Sequence, residues 1–122
     1  MRIANENLIA APVDMTTSFS SRPIWLGHIC NYAIQLVFTG SPVGTLNLQC
    51  SNDPGLPDGG TSPQALNVVN WTDVLNSSQA ISAAGNHVWD VQNAGYTWVR
   101  VNYVATSGSG SLTVARANLK GV

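Results

Sequence analysis

The feature that most constrains this chain is a two-residue alternation that never gives way to a helical period. In "CNYAIQLVF" (30–38), Tyr32, Ile34, Leu36 and Phe38 fall on one face of an extended chain, and Ala33, Gln35 and Val37 on the other. In "TLNLQCS" (45–51), Leu46, Leu48 and Cys50 point one way while Thr45, Asn47 and Gln49 point the other. So clean a split predicts one wet face. Thr, Val, Ile and aromatic residues recur in short runs divided by Gly, Pro, Asn and Ser, which predicts an all-β chain.

A further pair of alternating runs, "YTWVRVNYVATSGSGSLTVARANL" (96–119), reads as a hairpin with a Ser/Gly tip at 106–110. Thr97, Val99, Val101 and Tyr103 share one face; Tyr96, Trp98, Arg100 and Asn102 share the other. Large residues on both faces predict a strand that is central or covered on both sides. Beyond the tip, Leu112 and Val114 alternate with Thr113, Ala115 and Ala117. "TGSPVG" (39–44) reads as a turn, and "NDPGLPDGGTSPQ" (52–64) as an excursion loop too punctuated for a regular element. "NVVNWTDV", "SQAISAA" and "NHVWDV" add short extended segments, and "MTTSFS" and "PIWLGHI" bring the expected count to eight or nine strands. The expected fold is a single antiparallel β-sandwich of jelly-roll type over 14–122, preceded by an N-terminal arm, 1–13.

Composition bears on function mainly by exclusion. Charged residues make up 9% of the 122-residue chain, against about 25% in an ordinary domain, so the polar surface must be built from Ser, Thr, Asn and Gln. The five Lys and Arg are scattered singly, leaving no basic stripe for nucleic acid. No apolar run approaches the roughly 18 residues that cross a bilayer. Among the carboxylates only Asp73 and Asp90, each near a Trp, suggest a glycosidase-like pair, and both read equally well as strand-end residues. His28 and His87 lack metal-ligand spacing, and no Ser lies in a nucleophile elbow. Asp53 and Asp58 in the long loop suggest calcium without completing any known calcium loop. Cys30 and Cys50 read either as a bonded pair across a sheet or as two small buried side chains. The reading is of a protein without catalytic residues, cofactor or metal.

Four tryptophans suit either burial or sugar stacking. Trp71, Trp89 and Tyr96 are the candidate stacking residues for a surface glycan. Ile3, Leu8 and Ile9 in the arm, with Leu56 and Pro57 in the loop, are the candidate inter-subunit contacts.

From residue 30 onward the chain resembles a known group. "NYAIQLVFTGSPVGTLNLQCSND", "NWTDV", "SSQAISAAGNHVWDV" and "AGYTWVRVNYVATSGSGSLTVARANLKG" follow in the order seen in small β-sandwich virion proteins of tailed bacteriophages and prophages. The resemblance covers about three-quarters of the chain and rests on strand and turn signatures. It implies a head-decoration, head-fibre or tail-associated protein located in the virion. Such a protein would work as a homo-oligomer, a trimer for instance, or with other virion proteins. The alternative is a carbohydrate- or receptor-binding module. Neither nucleic acid nor membrane is expected as a partner.

Overall fold

The structure, a computed structural model, describes residues 3–27, 29–54, 56–57, 63–64 and 68–121. Every regular element among them is a β-strand: β1 (Ile3–Asn7), β2 (Val13–Asp14), β3 (Phe19–Ser20), β4 (Ile24–Trp25), β5 (Ile29–Ser51), β6 (Leu56–Pro57), β7 (Pro63–Gln64), β8 (Thr72–Asp73), β9 (Gln79–Ile81), β10 (Gly85–Val91) and β11 (Trp98–Gly121). Nine of these form one hydrogen-bonded antiparallel sheet, and β6 and β7 pair separately within the excursion loop. The all-β expectation and its strand count agree with this. The nine strands share a single hydrogen-bonded sheet rather than dividing into two.

The sheet is organised by one long ribbon. β5 and β11 pair along almost their whole length, from Trp98 opposite Ser51 to Gly121 opposite Ile29. A straight strand of 23 residues would run about 75 Å, roughly twice the width of a 122-residue domain, so the ribbon has to bend. It does so between two arms. The first arm joins residues 29–38 to 112–121 and is flanked by β1, β2 and β10. The second joins 44–51 to 98–105 and is flanked by β3, β4, β8 and β9.

Between the arms lies the point where two expected turns prove to be strand. "TGSPVG" does not reverse the chain, and "TSGSGS" is not a hairpin tip; the two segments face each other, with Gly40 opposite Gly110 and Gly108 opposite Pro42. The residues that signal a turn here serve a close crossing instead. Gly40 and Gly108 have φ of 82° and 75°, and a Cβ on Gly108 would clash with the carbonyl oxygen of Ser41. Residues 96–105 and 111–119 therefore pair with different arms of β5, not with each other.

Bending lets one face of the ribbon enclose one core. Tyr32, Ile34, Leu36 and Phe38 from the first arm join Leu46, Leu48, Val99, Val101 and Tyr103 from the second in a single buried cluster. Along β5 the expected faces hold. Along β11 they hold up to Leu112, after which a register shift between Leu112 and Val114 flips the alternation. Ala115, Ala117 and Leu119 consequently face inward, and Val114 is only half-buried. β11 is paired on both sides, and Trp98 on its outer face is 2% exposed, in line with the expected covered strand.

The segment expected to be an arm is built into this body. β1 pairs with β11 from Ile3 opposite Lys120 to Asn7 opposite Arg116, and Leu8 is buried in the core at 1% exposure. Leu8 is thus an intramolecular anchor, not a contact held out to another subunit. Ile9 packs half-buried against the same core.

Candidate functional site

Because side chains alternate along β5 and β11, each arm presents an outer face, and the same residue types recur on both. In the second arm Gln49 lies opposite Arg100 and Asn47 opposite Asn102; in the first, Gln35 lies opposite Arg116 and Ala33 opposite Asn118. The two faces use these groups differently.

On the second arm they are tied to one another. Asn102 Nδ2 donates to Asn47 Oδ1 at 3.2 Å, and Ser20 Oγ donates to Asn102 Oδ1 at 3.0 Å. Asn47 Nδ2 and Gln49 Nε2 both donate to Asp73 Oδ1, at 2.8 and 3.1 Å. Arg100 Nε donates to Gln49 Oε1 at 2.9 Å, and its guanidinium sits 4.2 Å from the centre of the Trp71 ring. The end of this face is closed by Asp53, at the start of the excursion loop, and by residues 68–71 that follow the loop. Trp98 Nε1 donates to the Asp53 carbonyl, and the Asp53 carboxylate receives the backbone N–H groups of Val69 and Asn70, both at 2.8 Å, and the Asn70 side-chain amide. Those donors hold the Asp53 carboxyl below its ordinary range, the Asn70 backbone N–H most strongly. Asp53 is thus a clasp on its own chain, and Asp58 lies outside the described residues.

The first arm carries an open groove of about 630 Å³ lined by Asn5, Glu6, Asn7, Ala33, Gln35, Val88, Arg116 and Asn118. It crosses β1, β11, β5 and β10 in turn. Nothing roofs it among the described residues, and no aromatic ring lines it.

The three candidate stacking residues are dispersed. Trp89 is 7% exposed, belongs to the core, and donates from Nε1 to the Ser77 carbonyl at 2.8 Å. It cannot serve as a platform: on β10 it alternates with exposed Val88 and Asp90, and so faces inward. Tyr96 is half-buried, with its hydroxyl bonded to that of Tyr32 and the two rings edge to face. Burial, reinforced by that bond, pushes the Tyr32 hydroxyl far above its usual range. Trp71 is half-buried like Tyr96, and Arg100 covers one side of its ring. Among the inter-subunit candidates, Ile3, Leu56 and Pro57 have side chains outside the described part.

The chemical candidates are likewise separated. Asp73 stands opposite Gln49 on the second arm, and Asp90 opposite Ala33 on the first. His87 meets Trp89 edge to face at 4.7 Å, its Nε2 is buried without a partner among the described residues, and burial pushes its pKa down. His28 lies outside the described residues. Cys30 and Cys50 are both free thiols, and burial raises the Cys50 pKa. Among the described residues no three His, Cys, Asp or Glu side chains gather as a metal ion would require.

The fold itself has a counterpart. The crystal structure of the SPBc2 prophage-derived protein YomS matches this chain with a TM-score of 0.54, over 97% of this chain and 92% of that one, at 13% sequence identity. At that identity the likeness shows a shared fold. No family model matches the sequence, and no curated protein matches it.

What the sequence does not disclose is the difference between the two outer faces. The Gln–Arg pairs at 35/116 and 49/100 become visible only once β5 and β11 are in register.

Proposed function

We propose that this chain is a non-enzymatic structural subunit of a bacteriophage particle, a head-decoration, head-fibre or tail-associated protein, and that copies associate through the free edge of β10. The fold shared with a prophage-derived protein is in keeping with that origin.

The observation that carries the reading is the edge itself. β10 ends the path β1–β11–β5–β10, and its outer side has no strand partner among the described residues. Free edges of this kind pair with other chains unless a Pro, a Lys, a bulge or a cover protects them. "GNHVWDV" contains neither Pro nor Lys, its one charged side chain is Asp90 near the strand's end, and its register with β5 is unbroken. The segment also complements itself. Two copies paired antiparallel about Val88 would set Val88 against Val88, Asn86 against Asp90 and His87 against Trp89. Val88 is 50% exposed and would gain an apolar partner, while Asp90 would face an amide rather than a like charge. Such pairing is two-fold and closed, so it favours a dimer, or a multiple of one, over a trimer.

Light scattering on a sizing column across a concentration series tests this. Native protein is expected as an even-numbered oligomer that persists to micromolar dilution. Val88→Asp, which would oppose two carboxylates at the axis, is expected to be a folded monomer with unchanged circular dichroism. A native monomer at every concentration, or an oligomer indifferent to Val88→Asp, would count against the edge as the site of assembly.

A further inference from the structure

The groove on the first arm has the character of a binding site, and its contrast with the second arm shows why. On the second arm the amides of Asn47, Gln49 and Asn102 saturate one another and Asp73, and Arg100 is engaged by Gln49 and Trp71. The corresponding groups on the first arm have no such arrangement. Among the described residues the side chains of Asn5, Asn7, Gln35 and Asn118 make no hydrogen bond, and Arg116 makes neither a hydrogen bond nor an ion pair. Of the other arginines described, Arg22 has partners too: it donates to the Asn7 carbonyl at 2.7 Å and lies 4.0 Å from Glu6. Glu6, the one carboxylate lining the groove, is therefore already near a cation.

We propose that this groove binds an acidic polysaccharide. Each carboxamide offers both a donor and an acceptor, which is what sugar hydroxyls require on both counts. The cross-strand order sets Asn7, Arg116, Gln35 and Val88 in one row, and Asn5, Asn118 and Ala33 in the next; the carboxylate of Asp90, opposite Ala33, stands beyond the lining at the β10 edge, two strands away from Arg116. The guanidinium thus lies among the amides rather than beside them. Its planar fork matches a carboxylate or sulfate with two parallel hydrogen bonds. Four strands at about 4.8 Å spacing give the rows a span of roughly 14 Å, the footprint of a short run of a polymer rather than of one small molecule. The groove is open to solvent rather than enclosed, so a polymer can lie across it. With no aromatic ring in the lining, recognition of this kind depends on charge and hydroxyls, not on stacking. One central arginine is also too little positive charge for nucleic acid, which calls for several cations along the backbone.

All the lining residues belong to one chain, and of them Val88 alone also lies on the β10 edge, so the titration is read at Gln35, Arg116 and Asn118, which stay on one chain whether or not copies associate. Backbone amide resonances of ¹⁵N-labelled protein are followed during titration with an oligouronate, a heparin oligosaccharide and a neutral dextran oligosaccharide. At least one of the two acidic probes is expected to shift Gln35, Arg116 and Asn118 at up to millimolar concentration, with affinity falling as salt is raised. Dextran is expected to shift none of them. Arg116→Gln is expected to weaken binding tenfold or more, and Gln35→Ala several-fold, whereas Gln49→Ala on the opposite arm leaves it unchanged. Arg116 and Gln35 are exposed, so both variants are expected to keep the native melting temperature. The proposal is overturned if neither acidic probe shifts the groove, if dextran binds as well as they do, if shifts centre on Trp71 and Arg100, or if Arg116→Gln binds normally.

Discussion

Gly108 pairs with Pro42 at the bend of the ribbon, and the backbone of the two strands meets there with no room for a side chain. With φ at 75°, Gly108 occupies a conformation that disfavours L side chains by about 1–2 kcal/mol. An added methyl would in addition clash with the Ser41 carbonyl oxygen. Gly108→Ala is therefore expected to lower unfolding free energy by at least about 2 kcal/mol in a urea titration. Gly95 provides the control, because a methyl group there would meet nothing within 4 Å and its φ is not positive. Gly95→Ala is expected to stay within about 0.5 kcal/mol of native. Equal effects at the two positions would mean that the bend is not held by Gly108.

The bend also marks where local reading of the sequence stops being sufficient. Within an arm, alternation is enough: Tyr32, Ile34, Leu36, Phe38, Leu46 and Leu48 are all buried as their spacing predicts. At the bend, Gly, Ser and Pro have the composition of a turn, and nothing local distinguishes a reversal of one chain from the crossing of two. The distinction is made by the opposite strand, more than sixty positions away in the chain. Val114 leaves its expected face for a related reason, since one extra residue after Leu112 inverts every later side chain. The inward direction of Trp89 is legible in the sequence, because the alternation of His87, Trp89 and Val91 against Asn86, Val88 and Asp90 already separates an inner from an outer face. Its place beside a turn points the other way, and the alternation prevails. The groove is not legible at all: Asn5, Asn118 and Gln35 become neighbours only through strand register, and whether an amide is engaged depends on what lies across from it.

Asp53 should make the excursion loop sensitive to acid. Its hydrogen bonds from Asn70 and Val69 favour the ionised carboxylate, so the folded pKa lies below the unfolded value of about 3.9. The stabilisation is then complete above that unfolded value and disappears as pH falls through the folded one. From neutral pH down to about pH 5 the loop is expected to stay closed, and to loosen below about pH 4. The indole N–H resonances of Trp98 and Trp71 report this directly, because they donate to the carbonyls of Asp53, at the start of the loop, and of Val68, next to the Val69 and Asn70 groups that Asp53 holds. Both are expected to titrate together in native protein. In Asp53→Asn they should already occupy the loosened position at pH 7 and show no acid transition. Asp14, whose pKa is also lowered, is held by Thr16 in a separate turn and should leave these two signals untouched. Indole signals that move at neutral pH, or that ignore Asp53→Asn, would assign the closure to some other contact.

Tyr103 and Tyr32 are both buried in the core, and their hydroxyls have opposite circumstances. The Tyr32 hydroxyl is bonded to that of Tyr96, whereas the Tyr103 hydroxyl is buried with no partner among the described residues. A buried hydroxyl without a partner costs about 1–3 kcal/mol, and a satisfied one contributes about 1 kcal/mol. Removing the oxygen should therefore have opposite signs at the two sites. Tyr103→Phe keeps the ring that packs 5.5 Å from Phe19 and is expected to be neutral or to stabilise by up to about 1 kcal/mol. Tyr32→Phe is expected to destabilise by about 1 kcal/mol. Tyr103→Ala, which also empties the space of the ring, is expected to cost about 3–5 kcal/mol and shows that the position matters for packing. Denaturant unfolding of the three variants separates ring from hydroxyl. A loss above about 1 kcal/mol in Tyr103→Phe would mean that this hydroxyl holds a partner, and the core beside Gly44, where it points, would then contain a polar contact rather than purely apolar packing.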